Sequence, residues 1–470
     1  MPFNIITALA ADPGPTTAAA FLARHQISQP TLWRHAREAG DAVAQWRHGR
    51  ATMLAATRAP GATPVWAIDS TGTPHQLSPI FLLRAGGSVW LDWEGRTKRF
   101  EGLPPDVLHA RPQGFLGRSL ARNLARTTGL PDNPDRWSDD QVLQVLQWRG
   151  SDLPGQLLIG QASFDAWAEQ RDLAPSIEQE NLHAELPGLA EYALSDAQNM
   201  GSSAAGEQPK FLACILGNGE IRHVLVKFSP PMDTAAGIRW ADLLAAEHLA
   251  ANALRAHDIP ASKTQIVDSH GRRFLVADRF DRIGAVGRRG LISLGAIDDE
   301  HFGARSTPWL SASYRLENAG MLSSDDAKAL RMIYAFGTLI ANTDMHYGNV
   351  SLTHSWVPFG PMREHMHAPQ RMGLAPVYDM LPMAYAPQRS EVRRTWHQTP
   401  GWIQGLGASD FTSAEQWAAE FWESCAVSGM ISEDFRAVAR HHQSEIQALG
   451  TKHADGQAQP NAHRAIAPRG

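Results

Sequence analysis

Cysteine is nearly missing from the 470 residues: Cys214 and Cys425 are the two, too few for a disulfide framework or a cysteine-based zinc site. A reducing, cytoplasmic setting is expected. No apolar run approaches the roughly 20 residues that span a bilayer, and the first 15 residues lack the basic flank and apolar stretch of a signal peptide. Neither secretion nor membrane insertion is expected. A strong excess of one charge is missing too, since the net charge of −5 argues against a chain coated in nucleic acid, while still allowing a local basic face. Lysine is scarce, with Lys98, Lys210, Lys227, Lys263, Lys328 and Lys452 the full set. A lysine inside an apolar segment therefore stands out. What remains is an ordinary globular composition, 43% hydrophobic and 19% charged, in a chain longer than the roughly 250–300 residues one core supports.

Residues 1–63 read as a helix-turn-helix domain of winged-helix type. Two short helices, 17–24 and 29–37, flank a turn at His25-Gln-Ile-Ser28, with Ser28 placed to cap the second and Leu22, Ile27 and Leu32 packing the pair. Gln29, Thr31, Arg34 and Arg37 fall on the outer side of the second helix. Residues 42–58 suit a hairpin wing carrying Arg47 and Arg50, and the excess of arginine, with Arg24 and Arg58 included, has the sign that contact with duplex DNA requires. A small helical interaction module is the alternative. The Pro- and Gly-bearing stretch 59–64 is expected to end this domain. A small α/β lobe over 64–176 follows, with strands near 65 and 88 and a helix over 139–149. Strands are expected at 210–216, 224–228 and 274–280, a long helix at 237–257, and mostly helix after 323. The polar tail 451–470 is expected to fray.

Chemistry concentrates in four places. Asn342-Thr-Asp-Met-His-Tyr-Gly-Asn349 follows an apolar helix over 326–340 and sets Asp344 and Asn349 five positions apart. That spacing serves phosphoryl transfer, in which a carboxylate stands near the acceptor hydroxyl and an amide oxygen helps hold Mg²⁺; a plain polar connection is the alternative. Asp379, at the end of Ala375-Pro-Val-Tyr-Asp379, is a second oxygen ligand for a hard cation or else a turn residue. Gly201-Ser-Ser-Ala-Ala-Gly206-Glu-Gln-Pro-Lys210 suits a loop that lets backbone N–H groups approach phosphate, or a flexible connection. Lys227 lies within an apolar strand, where burial demands a partner such as phosphate or a carboxylate; Glu247 on the next helix is the candidate. A lysine reaching solvent from an edge strand is the other reading.

Taken in order, Ser203-Ala-Ala-Gly-Glu-Gln-Pro-Lys210, Val276-Ala-Asp-Arg-Phe-Asp-Arg282, Asn342-Thr-Asp-Met-His-Tyr-Gly-Asn349 and Ala375-Pro-Val-Tyr-Asp379 resemble the HipA-like serine/threonine kinases, toxins of a bacterial toxin–antitoxin class. The resemblance spans roughly 65–450 and is nearest to the YjjJ-type subgroup, which has a helix-turn-helix fused in front. It implies ATP contact through Ala205, Gly206, Glu207, Gln208, Pro209 and Lys210, a phosphate-binding Lys227, and an adenine hinge of Asp278, Arg279 and Phe280. His346, Asn349, Tyr378 and Asp379 would line the nucleotide site, with Asp344 as catalytic base, Asn349 and Asp379 on Mg²⁺, and Ser203 as the site of autophosphorylation. Ala204-Ala205 stand where many members carry glycine.

The expected fold is therefore α/β (α+β) and multidomain: the winged-helix-like domain, the small lobe, and a two-lobed protein-kinase-like core over 177–450 with a helical C-lobe. Expected partners are ATP, Mg²⁺, duplex DNA, a protein substrate such as a translation factor, and an antitoxin. The target and oligomeric state stay open. Two rivals remain: a nucleotide-sensing transcriptional regulator and a small-molecule kinase.

Overall fold

The computed structural model describes every residue except 1, 2, 13, 92–95, 172–175, 199–207, 305–306, 355–371, 389–390, 393–396, 401–402 and 455–470. Helix and sheet are mixed throughout. Three helices open the chain, Ile5–Ala10, Ala18–His25 and Gln29–Ala39. Each begins where a side chain accepts free N–H groups: Asn4 those of Ile6 and Thr7, Thr17 that of Ala20, and Ser28 that of Thr31. Gln26, at φ 52°, ends the second helix and turns the chain into the third. Leu32 is fully buried, as the pattern required, and Phe21, Ala36 and Leu54 share the centre with it, while Leu22 and Ile27 pack beside them. A hairpin follows, Val43–His48 against the strand Ala51–Ile68, with Gly49 at φ 58° in its turn.

No loop marks the boundary expected at 59–64. Ala51–Ile68 is one strand of 18 residues that pairs with Thr16–Thr17 and Val43–His48 in its first part, then with Pro74–Leu83 and Leu157–Ile159 in its second. Pro64 is tolerated because the register against Pro74–Leu83 shifts between Thr63 and Val65, as it also does between Thr57 and Ala62. At such bulges a missing N–H costs no ladder bond. One seven-stranded sheet, completed by Ser88–Leu91 and Thr97–Phe100, thus joins the first segment to the next. Its second half packs on the helices Pro105–His109, Gly114–Thr128 and Asp139–Arg149 around Trp90, Phe100, Trp137 and Leu146.

A five-stranded sheet follows, in the order Thr264–Ser269, Arg272–Asp278, Glu220–Phe228, Lys210–Gly217 and Ser176–Glu178; the pairings are antiparallel except the last. Leu182–Gln198 covers it through Leu182, Leu186 and Ala190. The helix Ala235–Ala256 buries Leu243, Leu244, Ala250 and Leu254, joining the largest core, which the helices Trp309–Asn318, Ser324–Leu339, Ala408–Val427 and Glu433–Ala454 share. The strands Gly290–Ser293, Ser351–His354 and Gly373–Leu374 form a small sheet beside these helices. Among the described residues no helix is long and apolar enough to cross a membrane.

Candidate functional site

Lys227 lies on Glu220–Phe228, between neighbouring strands on both sides, with Lys210 and Leu275 as its cross-strand partners. It is 3% exposed. A buried ammonium at a central position has no route to solvent, so it must be paired. Its Nζ donates to both carboxylate oxygens of Glu247, at 2.6 and 2.8 Å, and to Oδ1 of Asp379. Burial works against the Lys227 charge, yet Asp379 and Glu247 carry its titration above the usual lysine range. Burial likewise pushes the Glu247 carboxyl up, Lys227 opposing. For Asp379 the balance falls the other way: burial would raise it, but Lys227 and Lys210 hold it at about 2. Burial lowers the Lys210 ammonium, with Asp379 opposing and Lys227 adding.

The helix Ser324–Leu339 delivers the second part of the site. Its C-terminus is a Schellman turn in which Ala341, at φ 60°, donates to Thr338 at 3.2 Å and Asn342 donates to Gly337 at 2.9 Å. The chain then reverses into 342–349. The Asn342 side chain accepts from the Asp344 N–H at 3.0 Å, and the Asn349 amide nitrogen donates to the Asp344 carbonyl at 2.8 Å. The Asp344 carboxylate is left exposed, 3.9 Å from His346 Nε2. Desolvation raises its titration, Asp379 adds, and His346 and Lys210 pull it down. Tyr378 joins the two parts: its hydroxyl donates to the Gly348 carbonyl at 2.8 Å and lies 2.8 Å from Ser351 Oγ. Asp379 follows at φ 54°, a left-handed conformation that aspartate tolerates better than most residues.

Lys210, Lys227, Asp344, His346, Asn349, Tyr378 and Asp379 are therefore brought together. Gln208 and Pro209 lead directly into the strand of Lys210, whereas Ser203, Ala205, Gly206 and Glu207 lie outside the described residues. At the expected hinge the strand ends at Asp278, two residues before Phe280. The Phe280 ring centroid is 5.7 Å from that of Tyr378, and the Asp278 carboxylate is 3.7 Å from Arg222. The Arg279 guanidinium is not brought to the cluster; Asp152 and Asp281 occupy it. Among the described residues no group of three or more His, Cys, Asp or Glu is arranged around a metal position. The oxygens of Asp379 and Asn349 are nonetheless the donors a hard cation takes, with phosphate and water completing its shell.

Sequence reasoning passed over several supports of this cluster. Asn342 and Ser351 sit inside or beside the quoted motif, and a polar residue at a helix exit was the available signal. Trp309 Nε1 donates to the His346 carbonyl at 3.2 Å, and the Tyr347 hydroxyl meets Thr307 at 2.7 Å and Arg315 at 2.9 Å; those contacts come from a segment more than 30 positions upstream and had no local sign.

At the N-terminus, Gln29, Arg34, Arg37, Arg47 and Arg50 are exposed and Thr31 is half-buried. Thr31 Oγ1 lies 2.8 Å from Ser28 Oγ, and Arg34 lies 4.0 Å from Glu38. Arg24 is instead paired with Asp12, and Arg58 with Asp140 at 3.0 Å, so the free basic surface is narrower than the sequence count implied.

Residues 59–168 match the family described as YjjJ-like toxin, middle domain, and residues 202–448 match the HipA-like C-terminal domain. Toxin YjjJ of Escherichia coli (strain K12) is 36% identical over 446 residues, which cover 93% of this chain and 96% of that protein. Among solved structures, HipA of the Shewanella oneidensis MR-1 toxin–antitoxin system, in a complex with HipB and operator DNA, superposes with a TM-score of 0.48 at 12% identity, covering 82% of this chain and 96% of that one. The Helicobacter pylori proinflammatory kinase CtkA gives 0.35 at 12% identity, over 55% and 94%. The chain belongs to the HipA-like toxin family, in its YjjJ-like group.

Proposed function

We propose that the chain is an ATP- and Mg²⁺-dependent kinase that phosphorylates serine or threonine hydroxyls on a protein, acts as a HipA-type toxin in the cytoplasm, and binds duplex DNA through its N-terminal segment. The observation that carries the kinase reading is the buried Lys227, held between Glu247 and Asp379 beside the loop of Asp344 and Asn349. Glu247 fixes the ammonium where it meets phosphate oxygens. Asp379 and Asn349 offer oxygens to the cation, which when bound neutralises charge on the phosphates. Asp344, exposed and raised in its titration, accepts the proton of the acceptor hydroxyl. Phe280 and Tyr378 flank the position of the base.

Asp344→Asn should abolish transfer and leave ATP affinity largely intact, because that carboxylate acts on the acceptor; Asp379→Asn should weaken Mg²⁺·ATP binding. Radiolabelled ATP supplied to the full chain with cell lysate, and in parallel with metabolite pools, is the test. Label on protein that Asp344→Asn abolishes supports the proposal. Label on metabolites alone makes it a small-molecule kinase, and bound but untransferred ATP makes it a sensor. Ser203 is the proposed autophosphorylation site, checked by peptide mass spectrometry after incubation with Mg²⁺·ATP.

The DNA reading rests on an element order of helix, strand, helix, helix, strand, strand, that of a winged helix, with Arg34 and Arg37 on the third helix and Arg47 and Arg50 at the hairpin. An antitoxin is the further partner that family membership suggests.

A further inference from the structure

The turn 151–155, which lies outside the HipA-like match at 202–448, holds the segment that follows Asp278. Asp152 accepts two bonds from Arg279 at 2.8 Å and one from Arg282 at 2.6 Å. Arg282 also donates to the carbonyls of Leu153 at 2.7 Å and Gly155 at 3.1 Å, and the Asp281 carboxylate accepts the Gly155 N–H at 2.9 Å. Arg288, from the hairpin Arg282–Ile283 and Gly287–Arg288, donates to the Ser151 carbonyl. Asp281, Arg282 and Arg288 are each buried. Phe280 lies between two residues fixed in this way, and its ring faces that of Tyr378, the neighbour of Asp379.

We propose that Asp152 is a positioning residue for the nucleotide site: by holding Arg279 and Arg282 it sets Phe280 against Tyr378, and Arg279 serves the site as an anchor whose guanidinium does not touch the nucleotide. The proposal rests on the nucleotide reading given above. Its physical ground is charge balance. Arg279 and Arg282 share Asp152 and Asp281, with the Arg288 guanidinium beside them on the Ser151 carbonyl, so losing one carboxylate leaves positive charge at largely buried positions that only movement of the segment relieves. The Arg279 fork is on Asp281, through Nε at 3.2 Å and Nη2 at 3.1 Å, while Nη1 reaches both oxygens of Asp152, so the two carboxylates fix the guanidinium in direction as well as distance.

The experiment uses the full chain, a fluorescent ATP analogue for direct binding, and initial rates of transfer as ATP is varied. Asp152→Asn should raise the analogue Kd and the KM for ATP by about fivefold or more while kcat at saturating ATP stays within about twofold, a split that general destabilisation does not produce. Asp152→Glu, which keeps the carboxylate, should recover most of the affinity. Arg279→Lys keeps the charge but loses the fork, so it should shift affinity in the same direction and add nothing further when combined with Asp152→Asn; it carries the test if Asp152→Asn does not fold. Unchanged affinity in Asp152→Asn and Arg279→Lys, additive losses, or an equal fall in kcat and kcat/KM would overturn the positioning role alone. A wild-type chain that binds no ATP analogue would instead overturn the nucleotide reading, and this inference with it.

Discussion

Lys227 decides much at the scale of single residues, because one ammonium serves two carboxylates that have no other cation so close among the described residues. Lys227→Met should cost about 3–5 kcal/mol, the usual consequence of removing one member of a buried pair. The pH dependence has a definite sign. Without the lysine, Glu247 and Asp379 face each other, one takes a proton that the unfolded chain does not hold near neutrality, and stability falls as pH rises. Urea unfolding should show the variant more stable at acidic than at alkaline pH; a flat profile would mean that the carboxylates find another partner. For Asp344 the raised carboxyl places the acid limb of kcat above the ordinary aspartate value of about 3.9, since only the ionised form accepts a proton. His346 pulls that titration down, so His346→Gln should move the limb to higher pH. A pH–kcat profile checks this, and an unmoved limb counts against Asp344 as the base. Lys227 and Glu247 were legible in the sequence because a charge in an apolar strand demands an explanation. The claim of Asp379 on the same lysine was not, since nothing local predicts a contact across 152 positions.

At the scale of elements, caps and periodicity made the helices readable: Ser28 caps its helix as the sequence suggested, and the helix Asp139–Arg149 has the expected bounds. The loop 342–349 depends on a feature no periodicity reveals. Gly337 on Ser324–Leu339 has Met345 Sδ and Met380 Sδ at 2.5 and 3.1 Å from where a Cβ would stand, so the residues after Asp344 and after Asp379 both pack onto one bare stretch of helix. Gly337→Val should therefore cost about 1–3 kcal/mol through overpacking and displace both acidic segments at once. Its thermal melt should fall modestly while transfer falls far more. A loss of activity no larger than the loss of folded protein would show that the two methionines yield without moving the carboxylates. The strand Ala51–Ile68 is the opposite case. Proline and glycine read locally as a boundary, and pairing on both sides overrode them.

Over the whole molecule that strand makes the N-terminal hairpin continuous with the sheet behind it, and the middle segment in turn grips the core. Besides the Asp152 contacts, His354 lies 3.0 Å from Asp106, the Ser293 N–H donates to His109 Nδ1 at 3.1 Å, and Lys98 pairs with Glu300. None of these was legible, because each joins residues far apart in sequence whose types are ordinary at a surface. The consequence for DNA is that the third helix and the hairpin turn are presented by one supported unit, with the exposed Arg34 and Arg37 on the helix and Arg47 and Arg50 at the turn. Phosphate contacts release counterions, so affinity should fall steeply with salt, and each arginine removed should lower the log–log slope by about one. Fluorescence anisotropy of the full chain on duplex DNA across a salt series should give a slope smaller by about two for Arg34→Ala/Arg37→Ala than for the parent. These side chains are exposed, so the double variant should fold normally and keep its phosphotransfer activity. An unchanged slope would remove this helix from the DNA interface, and no binding by the parent at low salt would make the N-terminal unit a protein-interaction module.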